Sequence, residues 1–125
     1  MLILQEQRGS HDEGRAIMIT LPKSVKWDDY EKELDAVKDY GQVVNYKVPS
    51  IPKDIGIIKR CYLVHDGFIR GWQEVVGYEK GKTFDCTTTG KNWSGNFIQR
   101  SGPFHYLIKP IPMKGFMGWR YCENY

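Results

Sequence analysis

The twenty residues from Lys59 to Tyr78, KRCYLVHDGFIRGWQEVVGY, constrain the fold more than any other stretch of the chain. Two apolar-rich runs flank Asp66-Gly67, and a two-residue hairpin turn favours that dipeptide because both central residues take positive φ. The stretch therefore reads as strand, tight turn, strand. With a two-residue turn, His65 faces Phe68, Leu63 faces Arg70 and Cys61 faces Trp72 on one side of the ribbon. Tyr62, Val64, Ile69 and Gln73 then occupy the other side. Neither side is cleanly polar, which suits a curled sheet with a core on one face and a shallow cleft on the other. Gly71 and Gly77 are the points where such a ribbon bends or bulges.

The remaining chain supplies partners for this hairpin. Met1 to Leu4 can add a short strand, and residues 1–14 otherwise read as a loose, polar segment. Ala16 to Leu21 is a buried strand closed by Pro22. Ser24 is an N-cap for a helix whose first turn carries Asp28 and Asp29, where negative charge is favoured. Trp27, Tyr30, Leu34 and Val37 form one apolar stripe along that helix, which runs to about Tyr40 and stops at Gly41. The stripe is core packing. Val43 to Val48 is the next strand, followed by a rigid connector at Pro49-Ser50-Ile51-Pro52 that cannot join a central ladder. Glu79 to Asn92 reads as a long surface loop with a short strand near Phe84, and such loops are disproportionately functional. Further strands span Trp93 to Arg100 and Phe104 to Ile108, separated by a turn at Ser101-Gly102-Pro103. A final aromatic strand runs from Phe116 to Tyr121, after Pro110-Ile111-Pro112. This order means α+β, with a mostly antiparallel sheet in a single domain over residues 1–125.

Charge is unevenly spread. Met1 to Gly56 holds eight Lys and Arg against ten Asp and Glu, whereas Ile57 to Tyr125 holds ten against five, which together give the net +3. The second half can therefore carry a basic face. Three cysteines, Cys61, Cys86 and Cys122, form no CxxC pair, a pattern that fits a reducing compartment and no disulfide framework. No apolar run approaches the roughly 18 residues of a membrane span. The opening MLILQEQRGSHDEG has neither a basic leader nor a long apolar segment, so a soluble, cytoplasmic protein without a signal peptide is expected.

Most catalytic chemistry lacks its residues. His11, His65 and His105 share no metal-ligand spacing with each other or with the cysteines, so no metal is expected. Cys61 and His65 lie two pleats apart on one strand, roughly 13 Å by strand rise, too far for a nucleophile and its base. The glycines follow neither a GxGxxG nor a Walker pattern, and no cofactor is implied. What remains is a basic and aromatic set on strands and loops: Arg70, Trp72, Thr88, Lys91, Trp93, Gln99, Arg100, Ser101, His105, Lys114, Trp119 and Arg120. Reading an unpaired base needs a flat aromatic or guanidinium surface for stacking, amides or hydroxyls for the base edge, and cations for phosphates. All three types recur here. The same tryptophans serve equally as core aromatics, with the arginines snorkelling from the rim.

The element order resembles the PUA-like superfamily, which includes the PUA, ASCH and EVE domains. The likeness rests on the 27–40 helix between two strands, the phrase CYLVHDGFIRGWQEVVGY, and the later segments NWSGNFIQRSGPFHYL and PMKGFMGWRY. It spans about residues 16–121. It implies a small curled β-barrel, mostly antiparallel, with one helix inserted after the first strand. It also implies binding of RNA, or of DNA and RNA with modified bases, in a cleft between barrel and loops. The lysine–glutamate signature of many ASCH proteins has no counterpart, since Lys23 and Lys26 lack matching neighbours, so only the binding class carries over and not the amidohydrolase activity. The expectation is a non-catalytic nucleic-acid-binding module. Its rivals are a protein–protein or inhibitor module using exposed aromatics as hot spots, and an enzyme acting on a base or nucleoside, for which Glu74 and Lys91 are the available groups. In the leading reading Arg70, Trp72, Trp93, Arg100 and Arg120 converge on one face, with the Thr87–Lys91 loop at its edge.

Overall fold

The computed structural model describes residues 16–85 and 92–125, with side chains over 16–83 and 94–125. The expected strand at Met1–Leu4, Cys86 and the Thr87–Lys91 loop lie outside the described residues. The elements are β1 (Ala16–Thr20), α1 (Trp27–Ala36), β2 (Val44–Val48), a 3-10 turn (Ile55–Ile57), β3 (Arg60–His65), β4 (Phe68–Asp85), β5 (Asn92–Pro112) and β6 (Trp119–Cys122). The six strands form one sheet in the order β2-β5-β4-β3-β1-β6. Every neighbouring pair is antiparallel except β1 with β3. Among the described residues the protein is thus α+β, with one α-helix after the first strand. No helix among the described residues is long and apolar enough to cross a membrane.

The sheet curls but does not close into a barrel. Its two ends, β2 and β6, share no ladder. Side chains tie this seam instead. The Tyr46 hydroxyl of β2 donates to the Thr20 carbonyl of β1 at 2.9 Å, and Trp119 Nε1 donates to the Ser50 carbonyl at 2.9 Å. Tyr121 donates to Asp54 at 2.6 Å. Pro49 directly after β2, and Pro52 further on, carry no N–H with which to extend a ladder past Val48.

Three elements depart from the sequence-based reading. The helix ends at Ala36, not near Tyr40, because the Val37 carbonyl is drawn into β5, accepting from Gly102 N at 2.9 Å and from Ser101 Oγ at 3.3 Å. The positive φ that follows falls on Tyr40 (65°) and not on Gly41. Lys26 occupies the N-cap position with no side-chain bond, so Ser24 is not the cap. Glu79–Asp85 is strand and not loop: β4 and β5 stay paired out to Asp85↔Asn92. Nor does Ser101-Gly102-Pro103 turn the chain. Gly102, with φ 83°, kinks a single 21-residue strand, and a Cβ there would meet the Tyr40 ring at 2.4 Å.

The hairpin turns at Asp66-Gly67 as expected, with φ of 51° and 84°. Its register does not run on as expected. His65↔Phe68 and Val64↔Ile69 pair, then Arg70 is skipped, and Leu63↔Gly71, Tyr62↔Trp72 and Cys61↔Gln73 follow. Because side chains alternate with period two, one extra residue moves everything beyond it to the opposite face. Trp72 therefore shares a side with Tyr62, and Gln73 with Cys61.

Two apolar clusters lie on the two sides of the sheet. The larger joins Ile17, Ile19, Cys61, Leu63, Val75 and Ile98 to Tyr30 and Leu34 of α1. The smaller, on the face turned away from α1, holds Ala16, Met18, Tyr62, Val64 and Ile69, with Trp72 and Phe116 packed against it. Arg100 lies wholly inside the larger core, donating to Gln73 Oε1 at 3.0 Å and to the Tyr30 hydroxyl. Gln73 in turn donates to the Gly102 carbonyl at 2.8 Å. A buried cation left without an acceptor is costly. Gln73→Leu should therefore lower the unfolding free energy by about 1–3 kcal/mol, read from the urea midpoint; an unchanged midpoint would remove this network from the stabilising set.

Cys61 and Cys122 are both free thiols. Burial pushes Cys61 up to about 11, partly offset by nearby Arg100, and burial pushes Cys122 up to about 12. A thiol whose folded value is raised keeps its proton in the fold after the unfolded chain has lost it. The stability it contributes is complete below about pH 8.5 and is lost as pH climbs towards the folded value. Native protein at about pH 8 should leave Cys61 untouched by a thiol reagent, with rapid reaction only after denaturation. Labelling of the native thiol within minutes contradicts this.

Candidate functional site

The face turned away from α1 gathers flat and cationic side chains. Alternation along β3 sends Arg60, Tyr62 and Val64 to it while Cys61 and Leu63 enter the core. The skipped residue at Arg70 brings Trp72 to the same side. Register then aligns Arg120 (β6), Met18 (β1), Tyr62 (β3), Trp72 (β4) and His105 (β5) in one row across five strands.

At its centre is a three-layer stack. The His105 ring lies 4.1 Å from that of Trp72 at an interplanar angle of 16°. The Arg60 guanidinium lies 4.1 Å from the Trp72 centroid. Since β3 and β5 flank β4 on opposite sides, the two groups cover opposite faces of the indole. Arg60 Nη1 also donates to the Tyr62 hydroxyl at 3.2 Å. That hydroxyl donates to the Tyr125 carbonyl at 3.3 Å and accepts from the Tyr125 amide at 2.8 Å. Tyr62 is fully buried, and the Tyr125 ring packs edge-on against it at 5.3 Å. Burial, with help from Cys122 and Glu123, raises the Tyr125 phenol above its ordinary value. At the other end of the row, the Arg120 guanidinium sits 4.5 Å from the Phe116 centroid. Neither Arg60 nor Arg120 has an ion pair among the described residues, although Glu74 stands opposite Arg60 in the β3–β4 ladder.

The opposite side of the molecule has the reverse sign. Along α1, Asp28, Asp29, Glu31, Glu33 and Asp35 face one cation, Lys32. A shallow groove of about 600 Å³ between α1 and β5 is lined in part by Asp28, Glu31, Asp35, Phe104 and Tyr106. Around it Trp27 donates to the Tyr106 hydroxyl at 3.1 Å, and Tyr106 to Glu31.

The expected site residues divide. Trp72, His105 and Arg120 share the face away from α1. Gln99 alternates to that side further along β5, where it donates to Asn45 at 3.2 Å. Lys114 is exposed between β5 and β6. Arg70, the extra residue of the hairpin, turns towards α1: its Nε donates to the His65 carbonyl at 3.3 Å and its guanidinium lies 5.9 Å from the Trp27 ring. Arg100 and Ser101 are core groups, with Ser101 donating to the Gln42 carbonyl at 2.6 Å. Trp119 packs on the α1-side core. Thr88, Lys91 and the Trp93 side chain lie outside the described residues. The expected convergence of Arg70, Trp72, Arg100 and Arg120 therefore does not occur, because alternation and the skipped residue send Arg70 and Arg100 to the other side.

Sequence reasoning missed Arg60, Tyr62 and Tyr125. Arg60 and Tyr62 stand two apart on a strand, the spacing of one face, and that signal was present. Tyr125 had none. Glu74 accepts from the Tyr40 hydroxyl at 2.8 Å and raises that phenol above its usual value. No group of three or more His, Cys, Asp or Glu among the described residues is placed to hold a metal ion.

Comparison with protein-family models, with curated proteins and with solved structures returns no match to this chain.

The stack depends on how closely β4 and β5 approach beside Trp72. A Cβ on Gly71 would meet the His105 carbonyl at 2.2 Å and the Phe104 ring at 2.8 Å. Gly71→Ala should destabilise by about 1–3 kcal/mol through overpacking and disturb the Trp72–His105 stack. Urea unfolding with tryptophan fluorescence checks both; a variant as stable as wild type, with an unchanged spectrum, refutes the close approach.

Proposed function

We propose that the protein is a non-catalytic nucleic-acid-binding module of PUA-like type, holding an unpaired or modified base on the sheet face opposite α1. The observation that carries this reading is the preformed Arg60–Trp72–His105 stack with the uncompensated Arg120 in the same row. Stacked rings offer a π surface to a base, and unpaired guanidiniums attract phosphates. The acidic helix on the other side repels a polyanion there, so the molecule approaches a nucleic acid with one face forward. Free thiols and the absence of a membrane-crossing helix among the described residues suit a cytoplasmic setting.

One observation favours the protein-docking alternative. Between Gly71↔Tyr106 and Ile69↔Ile111 the β4–β5 register skips Leu107–Pro110, and Ile108 stands 99% exposed. Met117 is 94% exposed. Exposed apolar side chains mark an interaction surface where they form a contiguous patch, which is what this alternative requires of Ile108 and Met117.

Titration of labelled RNA and DNA oligonucleotides, with and without modified bases, at two salt concentrations separates the two. Trp72→Ala, which removes the middle layer supporting the stack, should weaken binding by as much as one base–aromatic stack contributes, about 1–3 kcal/mol, with folding verified by circular dichroism. Arg120→Ala should weaken binding and reduce its salt slope by about one. Arg70→Ala should change neither. If the wild type binds none of these oligonucleotides at micromolar concentration and low salt, the nucleic-acid reading is lost and the docking alternative takes its place.

A further inference from the structure

We infer that the open edge of β5 beside α1 is a docking site for an extended, basic peptide, which joins the sheet as a strand with its cations against the helix. This surface is distinct from the ring stack, and the inference does not depend on the nucleic-acid reading.

β5 runs for 21 residues, yet β2 covers only Asn96–Arg100 of its outer side. The Gly102 amide is taken by the Val37 carbonyl. From Phe104 to Ile108 no backbone hydrogen bond reaches that outer side among the described residues. A row of unpaired N–H and C=O groups is a template for one more strand. Proline and lysine blunt such edges, and here Pro103 and Lys109-Pro110 stand at the two ends, with no lysine, arginine or carboxylate between them. On its inner side β4 already holds His105 and Tyr106 in register, so the edge is extended before a partner arrives.

The helix decides what kind of strand fits. The groove of about 600 Å³ lies along this edge, and Leu34, Phe104 and Tyr106 give it apolar lining. Asp28, Glu31 and Asp35 line its α1 side, together with Lys32 and Lys38, the latter tied to Asp35 at 3.2 Å. Over residues 26–39 six carboxylates stand against three ammonium groups, so the wall is negative. Asp28 and Asp35 are roughly 10 Å apart by helix rise, and alternate side chains of a strand are about 7 Å apart. Two cations spaced two residues apart can therefore both meet carboxylates. Tyr106, 52% exposed, offers a ring face to the same cations. A second copy of the chain does not suit the edge, because two-fold pairing of β5 with β5 sets two acidic helices side by side. The occupant is a basic segment of another protein.

Fluorescein-labelled octapeptides test this: alternating Lys and Thr, alternating Glu and Thr, and the Lys-Thr peptide N-methylated at every residue, which keeps its charge and removes its donors. The Lys-Thr peptide should bind at low salt and slow hydrogen exchange of the Phe104–Ile108 amides, and the Glu-Thr peptide should not bind. N-methylation should weaken binding by about twofold to tenfold for each hydrogen bond lost. Asp28→Asn and Asp35→Asn, with folding verified by circular dichroism, should each weaken it by up to about fivefold. Equal binding of the Lys-Thr and Glu-Thr peptides overturns the inference, as does undiminished binding of the N-methylated one. So does unchanged affinity in both folded variants, or slowed exchange that falls on other strands and spares β5. Failure of the Lys-Thr peptide to bind at high micromolar concentration and low salt overturns it as well, while the oligonucleotide titrations decide the nucleic-acid reading separately.

Discussion

Arg70 has no ladder partner on β3, and the side-chain alternation of the central hairpin turns on that omission. Up to Ile69 the hairpin follows the two-residue turn; from Gly71 onward each residue sits on the face its predecessor would have taken. The core receives Gln73 in place of Trp72, and the outer face receives Trp72 in place of Gln73. Both exchanges matter. Gln73 is the group that accepts from Arg100 inside the core, and Trp72 is the middle layer of the stack outside it. The extra residue fits only because Gly71 beside it has no Cβ to strike β5.

The Arg100 network is the unusual feature of the core. Its guanidinium is wholly buried, and its hydrogen-bond acceptors are neutral, a carboxamide and a phenol. Desolvating a cation against neutral dipoles is expensive, so once the guanidinium is buried, losing either acceptor is costly. By linking Tyr30 of α1 to Gln73 of β4, and through Gln73 to the Gly102 carbonyl of β5, it sets where the helix lies on the sheet. The same helix then places its row of carboxylates on the side away from the stack.

Elements with a strong local signal were legible in the sequence. The Asp66-Gly67 turn, the helix beginning at Trp27 and the buried run at Ala16 follow from turn chemistry and periodicity. What was illegible depends on tertiary contact. The helix terminates early because the Val37 carbonyl finds β5, and Gly102 kinks a strand rather than ending it because Tyr40 fills the space above it. The polar composition of Glu79–Asp85 reads as loop, yet backbone pairing with β5 holds it extended. For the site, residue types were read well and their faces poorly. Trp72, His105 and Arg120 do share a surface; Arg70 was assigned to it because no local signal reveals a single skipped residue, and Arg100 because an arginine in alternation with core positions reads as a surface group.

The seam between β2 and β6 has a dynamic consequence. A closed barrel must break several backbone hydrogen bonds at once to open, whereas this sheet is fastened along the seam by single side-chain bonds from Tyr46, Trp119 and Tyr121. These can release one at a time. Protection of backbone amides against solvent exchange should thus be graded across the sheet, deepest in β3 and β1 and shallowest in the terminal strands. The outer face would then be anchored on its most rigid strands while the ends of the sheet remain free to part and rejoin.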